Sequence, residues 1–281
     1  MKKTILAILL SFVYFLCFEQ KTENVTLDSQ KTKSKLVDQF SIRPARVFFN
    51  LSRGESGTNK IFVANHTADT LQLRLSFSDW LRDTIGAHTY YEPEKLARSC
   101  ARWITLDKTF LEINPKETKE VHIRMDVPDS AEAVKEMKWT MLFVETREET
   151  KAPKKENLKM YNKSRIGVHI YQTSPSLTNG EIRILNFCAL PGSKQEYRVI
   201  CQNVGNIQYD ARSYIEMTPL TEEGEKITIK PVNFPIFPEQ TRYVTFTIPE
   251  SVPKGKYNAV AIVDGGTDSP VEAAQAIIEV K

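Results

Sequence analysis

Catalytic and ligand-binding signatures are what this 281-residue sequence lacks. It has no Gly-Lys-Ser/Thr phosphate loop, no Gly-x-Ser-x-Gly elbow and no Cys-x-x-Cys pair. Its four histidines, His66, His88, His122 and His169, lie in separate segments, and none has a second ligand type at metal spacing. No cofactor, no metal and no small-molecule substrate are expected, and the chain does not read as an enzyme. An excess of one charge is also missing: 38 basic residues face 35 acidic ones, and the surplus of +3 sits in two local runs rather than along one face. That excludes the basic stripe of a nucleic-acid binder. Helical signal is thin too, since Pro93 to Ala101 and Ser130 to Lys138 have helix-forming composition over barely two turns each.

Long apolar runs are absent after the first residues. Met1-Lys2-Lys3 precedes an apolar stretch from Ile5 to Phe18 that is too short to span a bilayer, and the chain turns polar at Glu19-Gln20-Lys21. This is the pattern of a secretory signal peptide over residues 1–19. Cys17 follows Tyr14-Phe15-Leu16 rather than the small residues that precede a lipid-modified cysteine, so lipidation is disfavoured. Residues 20–39, rich in Lys, Thr, Ser, Asp and Glu, bury too little to offset ordering entropy and read as a flexible leader.

What remains is strand signal. Short runs rich in Val, Ile, Phe, Tyr and Thr alternate with turn residues, predicting an all-β chain of two immunoglobulin-like β-sandwich domains in tandem. In the first, residues 40–175, strands are expected over Ile42–Leu51, Thr58–Asn65, Leu71–Trp80, Arg102–Asp107, Thr118–Val127, Trp139–Arg147 and Lys159–Gln172. Leu71, Leu73, Leu75 and Phe77 point one way and Gln72, Arg74, Ser76 and Ser78 the other, so one face is buried and one wet. The Lys- and Glu-rich stretch from Arg147 to Lys159 reads as a mobile hairpin tip.

Beyond a linker at Pro175–Gly180, the second domain, residues 176–281, repeats the pattern with Ile182–Cys188, Glu196–Asn203, Ile207–Met217, Lys226–Pro231, Thr241–Ile248, Lys256–Val263 and Val271–Val280. Gly224 marks a hairpin, and Tyr257 is placed to bond back to the backbone as the tyrosine of such a corner does. Cys188 and Cys201 flank a turn at Pro191-Gly192-Ser193. They are either a disulfide in an oxidising compartment or two small buried residues in facing strands. Trp80, Trp103, Trp139 and the pair Tyr90-Tyr91 either fill the first sandwich or form a sugar-stacking platform.

Pro44-Ala45-Arg46-Val47-Phe48-Phe49, Gly54-Glu55-Ser56 and Ile61 to His66, followed by Ser78 to Asp83 with Gly86, Cys100 to Ile104 and Phe110 to Pro115, together resemble the first domain of PapD-like periplasmic pilus chaperones. The second half, with Asn203-Val204-Gly205-Asn206 and Pro249 to Tyr257, is similar to an immunoglobulin-like module of envelope proteins and diverges from the second domain of true pilus chaperones.

The resemblance implies a chaperone-like protein of the Gram-negative periplasm, free or associated with the outer membrane, that binds envelope or secreted proteins by β-strand addition. The alternative is a structural or accessory subunit of an outer-membrane secretion, gliding or adhesion assembly. In the family, a basic pair anchors the client's terminal carboxylate. Arg46 matches the first member, a residue type suited to bidentate grip, and Arg165 or His169 stands near the second. Ile166, Val168 and Ile170 alternate along the seventh strand, which implies either client pairing or sandwich core.

Overall fold

The computed structural model describes residues 39–146, 150–151, 161–162, 164–221, 224–266 and 271–281. The signal peptide, nearly all of the leader and most of the Arg147–Lys159 stretch therefore lie outside the described residues. No helix among the described residues is long and apolar enough to cross a membrane.

The fold is all-β, as the alternation predicts. In chain order the strands are β1 (Phe40–Arg43), β2 (Arg46–Asn50), β3 (Ser56–Asn65), β4 (Leu71–Arg82), β5 (His88–Tyr91), β6 (Ile104–Leu106), β7 (Phe110–Ile113), β8 (Thr118–Asp126) and β9 (Lys138–Thr146). They continue with β10 (Thr150–Lys151), β11 (Tyr161–Asn162), β12 (Arg165–Thr173), β13 (Ile182–Ala189), β14 (Glu196–Asn203) and β15 (Tyr209–Pro219). The last four are β16 (Ile227–Ile236), β17 (Thr241–Thr247), β18 (Gly255–Asp264) and β19 (Glu272–Val280).

The first sandwich packs the sheet β1-β3-β8-β6 on the sheet β2-β12-β9-β4-β5, with β7 added to β4; the second packs β13-β14-β17 on β16-β15-β18-β19. Ile61, Val63, Val121, Ile123, Val168 and Ile170 are among the residues that fill the first core, and Val199, Cys201, Ile215, Met217, Ala259 and Val263 are among those of the second.

The expected strand Ile42–Leu51 is two strands. β1 pairs with β3, the Arg43–Pro44 peptide is cis, and the chain crosses to the other sheet, where β2 runs parallel to β12. Pro44 has no N–H to give a ladder, so the break costs no backbone bond there. The expected strands left out the four-residue β5 and β7, and stopped β16 short at Pro231; β16 is an edge strand, where a missing donor can face outward.

β3 in the first sandwich and β14 in the second end with the same device. Asn65 is buried, donates from Nδ2 to the carbonyls of Asp69 (2.8 Å), Ile113 (3.0 Å) and Asn114 (3.1 Å), and accepts the Thr67 N–H (2.8 Å). Asn203 does the same with Ile207 (2.8 Å) and Ile236 (3.2 Å), accepting the Gly205 N–H (2.9 Å). One side-chain amide thus replaces several ladder bonds where the strand ends and the chain turns. The expected tyrosine corner is present, with Tyr257 Oη donating to the Pro253 carbonyl at 2.7 Å.

The expected wet face of the first sandwich dries out along its length. Arg74 is exposed, but Ser78 and Trp80 on the same face of β4 are buried, and β9 is buried on both faces. The cover is the second sandwich: Phe237 joins Trp80, Met137, Trp139, Met141, Phe143 and Tyr171 in a buried cluster. This removes Trp80, Trp103 and Trp139 from the stacking-platform alternative, because all three are buried and offer no ring to a sugar; Tyr90 and Tyr91 are exposed.

Cys188 and Cys201 are not bonded; both are free thiols. In the β13–β14 ladder Cys188 stands opposite Arg198 and Cys201 opposite Ile184. The two cysteines are thus about three ladder steps apart, roughly 10 Å at 3.3 Å per residue, beyond the reach of a disulfide.

Candidate functional site

The sheet order places β12 between β9 and β2, and β2 begins pairing only at His169, whose Cα partner is Arg46. The first half of β12, Arg165 to Val168, has β9 on one side and no partner strand on the other among the described residues. The His169 N–H donates to the Ala45 carbonyl at 3.0 Å. Two-residue periodicity then turns the N–H groups of Gly167 and Arg165 toward that same open side.

The side chains of β12 divide by parity. Val168 and Ile170 are fully buried in the first core and Ile166 packs against it. These residues are core rather than a surface for client side chains, and what β12 offers is its backbone edge. Arg165, Gly167, His169 and Tyr171 lie on the opposite face. Gly167 permits close packing there, since a Cβ would stand 2.6 Å from Met141 Sδ.

Arg165 is held away from Arg46. Its guanidinium lies 3.3 Å from the centre of the Phe143 ring, and its Nε is 3.8 Å from Glu145. His169 lies beside Arg46 in the interdomain cleft, its ring stacked on Tyr171 and edge-on to Trp80, with Nε2 3.5 Å from Nε2 of His88. Burial, reinforced by the nearby cations Arg82, His88 and Arg46, pushes the His169 imidazole down to about 4. It is neutral at ordinary pH and supplies no positive charge.

Arg46 is engaged by the second sandwich: its Nη1 donates to Asp210 Oδ2 on β15 at 2.5 Å, with both side chains well exposed. An ion pair of this exposure contributes about 0–1 kcal/mol.

Three further residues, none of them among the site residues expected from sequence, shape the cleft. Arg82, at the end of β4, lays its guanidinium over the Trp80 ring (5.6 Å) and the Phe237 ring (6.0 Å). Burial draws its pKa down, and its Nε has no hydrogen-bond partner. Arg242 on β17 donates to the Asp83 carbonyl at 3.3 Å, and Gly86 (φ +96°) makes room for it: a Cβ there would meet Nη1 at 2.4 Å. Gln240 Nε2 bonds the carbonyls of Arg82 (3.2 Å) and Asp83 (3.3 Å), and the Tyr243 N–H donates to the Thr84 carbonyl (2.8 Å). The β4–β5 hairpin is therefore clamped onto the second sandwich. The only sequence trace of the clamp was Arg82, Asp83 and Gly86 in one block of family-like residues.

No protein-family model and no curated protein matches the chain. Among solved structures it is similar to the class 5 fimbriae chaperone CfaA, with 11% identity, a TM-score of 0.47, and coverage of 84% of this chain and 98% of that one. It is also similar to the Pseudomonas aeruginosa CupB2 chaperone, at 11% identity and a TM-score of 0.42 over 85% and 99% of the two chains. A third match is to the CsuC–CsuE chaperone–tip adhesion subunit pre-assembly complex of Acinetobacter baumannii Csu pili, at 10% identity and 0.42 over 73% and 89%. The chain is similar in fold to pilus chaperones.

The described residues contain no group of three or more His, Cys, Asp or Glu side chains placed to hold a metal. What the cleft does contain is cationic and aromatic, next to an open strand edge. Such an arrangement can pair an extended polypeptide through its backbone and hold a carboxylate at one end.

Proposed function

We propose that this chain is a chaperone-like protein of the Gram-negative periplasm that holds extended segments of envelope or secreted proteins along the open half of β12, with Arg46 as the anchor for a carboxylate. The observation that carries this reading is the convergence of two features at one point. The edge from Arg165 to Val168, without a partner strand among the described residues, ends where Arg46 begins the pairing of β2. Main-chain bonds along the edge supply affinity for an extended segment, and a guanidinium at its end selects the terminus. The burial of Val168 and Ile170 supports a backbone-led grip, with little selection of client side chains by β12 itself.

The test is crosslinking in the native envelope, with a photoreactive residue at position 165, followed by recovery of the protein. Client polypeptides attached at that position, reduced severalfold by Arg46→Ala, are the expected result. Recovery of no client, or recovery indifferent to Arg46→Ala, would sink the proposal. A second reading, a rigid accessory subunit of an outer-membrane assembly, is favoured by the clamp of Arg242, Gln240 and Phe237 on the first sandwich. A stable stoichiometric complex with such an assembly, in place of transient capture, would select it.

A further inference from the structure

We infer that His88 and His169 form a two-coordinate site for a monovalent d10 metal ion, copper(I) or its analogue silver(I), held between the two imidazole Nε2 atoms. The inference goes beyond the client-binding reading and stands without it.

The sheet order separates β5 from β12 by β4 and β9, yet their histidines meet. The last residues of β4, Asp79 to Arg82, run past its final pair with β9 at Ser78 and carry β5 with them. From there β5 leans across the sheet face, with Tyr90 packed edge-on against Phe143 of β9 at 5.1 Å. The Nε2 atoms of His88 and His169 are 3.5 Å apart and their ring centres 5.5 Å, so both nitrogens lie in the gap between the rings. At that distance the pair makes a weak hydrogen bond at best. Two metal-to-imidazole bonds in line need the nitrogens about 4 Å apart, roughly half an ångström more than they stand. The rings are already positioned for it. His88 stacks on Tyr90 at an interplanar angle of 12° and His169 on Tyr171 at 15°, while Trp80 meets both edge-on, at 5.0 and 5.1 Å. Ligands locked by packing hold their geometry before the ion arrives.

The surroundings choose the ion. The side-chain charges that bear on His169 are those of Arg82, His88 and Arg46, none of them an anion. Asp210 is committed to Arg46. Among the described residues no third His, Cys, Asp or Glu joins the pair to complete a metal-binding group. Zinc and copper(II) therefore lack the three or four protein donors they take, and a double charge would face the guanidiniums with nothing to offset it. A monovalent d10 ion is satisfied by two nitrogens in line and meets half that repulsion.

Silver nitrate titrated into the purified protein in chloride-free buffer tests this. A Cys188→Ser background is used, because that half-buried thiol would also take a soft ion. Calorimetry should give one ion per chain, and nitrogen NMR should show both imidazole Nε2 signals shifting together at that ratio. His88→Gln and His169→Gln should each weaken binding by at least about a hundredfold, the upper end of what losing a mere supporting group costs. Arg82→Gln removes the cation that acts most strongly on His169 and should tighten binding about threefold, a gain that a misfolded variant cannot mimic. Zinc should bind at least about tenfold more weakly than silver. Absence of saturable silver binding, binding that ignores both histidine variants, weakening by Arg82→Gln, or zinc held more tightly than silver would each overturn the inference.

Discussion

Replacing Gly86 by alanine loads the joint between the sandwiches in two separable ways. The residue sits at φ +96°, where a side chain carries a backbone cost of about 1–3 kcal/mol. The new Cβ would also stand 2.4 Å from Nη1, 2.6 Å from Nη2 and 2.9 Å from Cζ of Arg242, so the guanidinium has to withdraw. Withdrawal breaks its bond to the Asp83 carbonyl and disturbs its stacking over Phe234. A hydrogen bond from a charged donor contributes about 1.5–3 kcal/mol, and partial relaxation of a long side chain returns some of that. The total for Gly86→Ala is about 2–4 kcal/mol. In an Arg242→Ala background only the backbone cost remains. Urea unfolding of wild type, both single variants and the double variant, followed by tryptophan fluorescence, should give a coupling of about 1 kcal/mol or more. Gly86→Ala costing the same with and without Arg242 would refute the account of the joint.

Two other outcomes follow from the buried groups. The unfolded chain takes up a proton at His169 below pH 6.5 that the folded chain refuses until about 4. Stability should therefore be full above pH 6.5 and fall through that window by up to about 3 kcal/mol. His169→Gln should flatten the slope in pH-dependent unfolding, and an unchanged slope would contradict the burial of a neutral imidazole. Among Cys100, Cys188 and Cys201, only the half-buried Cys188 should react quickly with a thiol reagent in the native protein. Burial pushes Cys201 up to about 12 and holds Cys100 well above the usual thiol range. Loss of the fast-reacting thiol under oxidising conditions, with a rise in melting temperature, would restore the bridge.

The sandwich strands were legible because period-two alternation is a local property of a half-buried strand, and Leu73, Leu75, Val121 and Ile123 carry it plainly. Edges and switches were not. Pro44 and Pro231 look alike as strand breakers, yet one marks a crossing between sheets and the other rides on an exposed edge. The cleft was half legible. Arg46 could be matched because it sits in a run of family-like residues, whereas Arg82, Asp210 and Phe237 become neighbours only through the packing of two domains. The cysteines show the same limit, since a turn predicts that two strands meet but not which residues face each other. In the β13–β14 ladder a register shift between Ile184 and Asn186 adds to the offset.

The aromatic cover described for the first sandwich bears on how the protein is made. Trp80, Trp139, Met141 and Tyr171 come from the first sandwich, and Phe237, which shields them, from far along the second. A chain is synthesised from its N-terminus, so the first sandwich can assemble while this face is still bare and prone to stick to other unfinished chains. The sequence divides near Pro175, but the molecule reaches a fully covered state only when the later half has arrived. Truncation after the first sandwich should therefore yield a species that aggregates, in place of a working half.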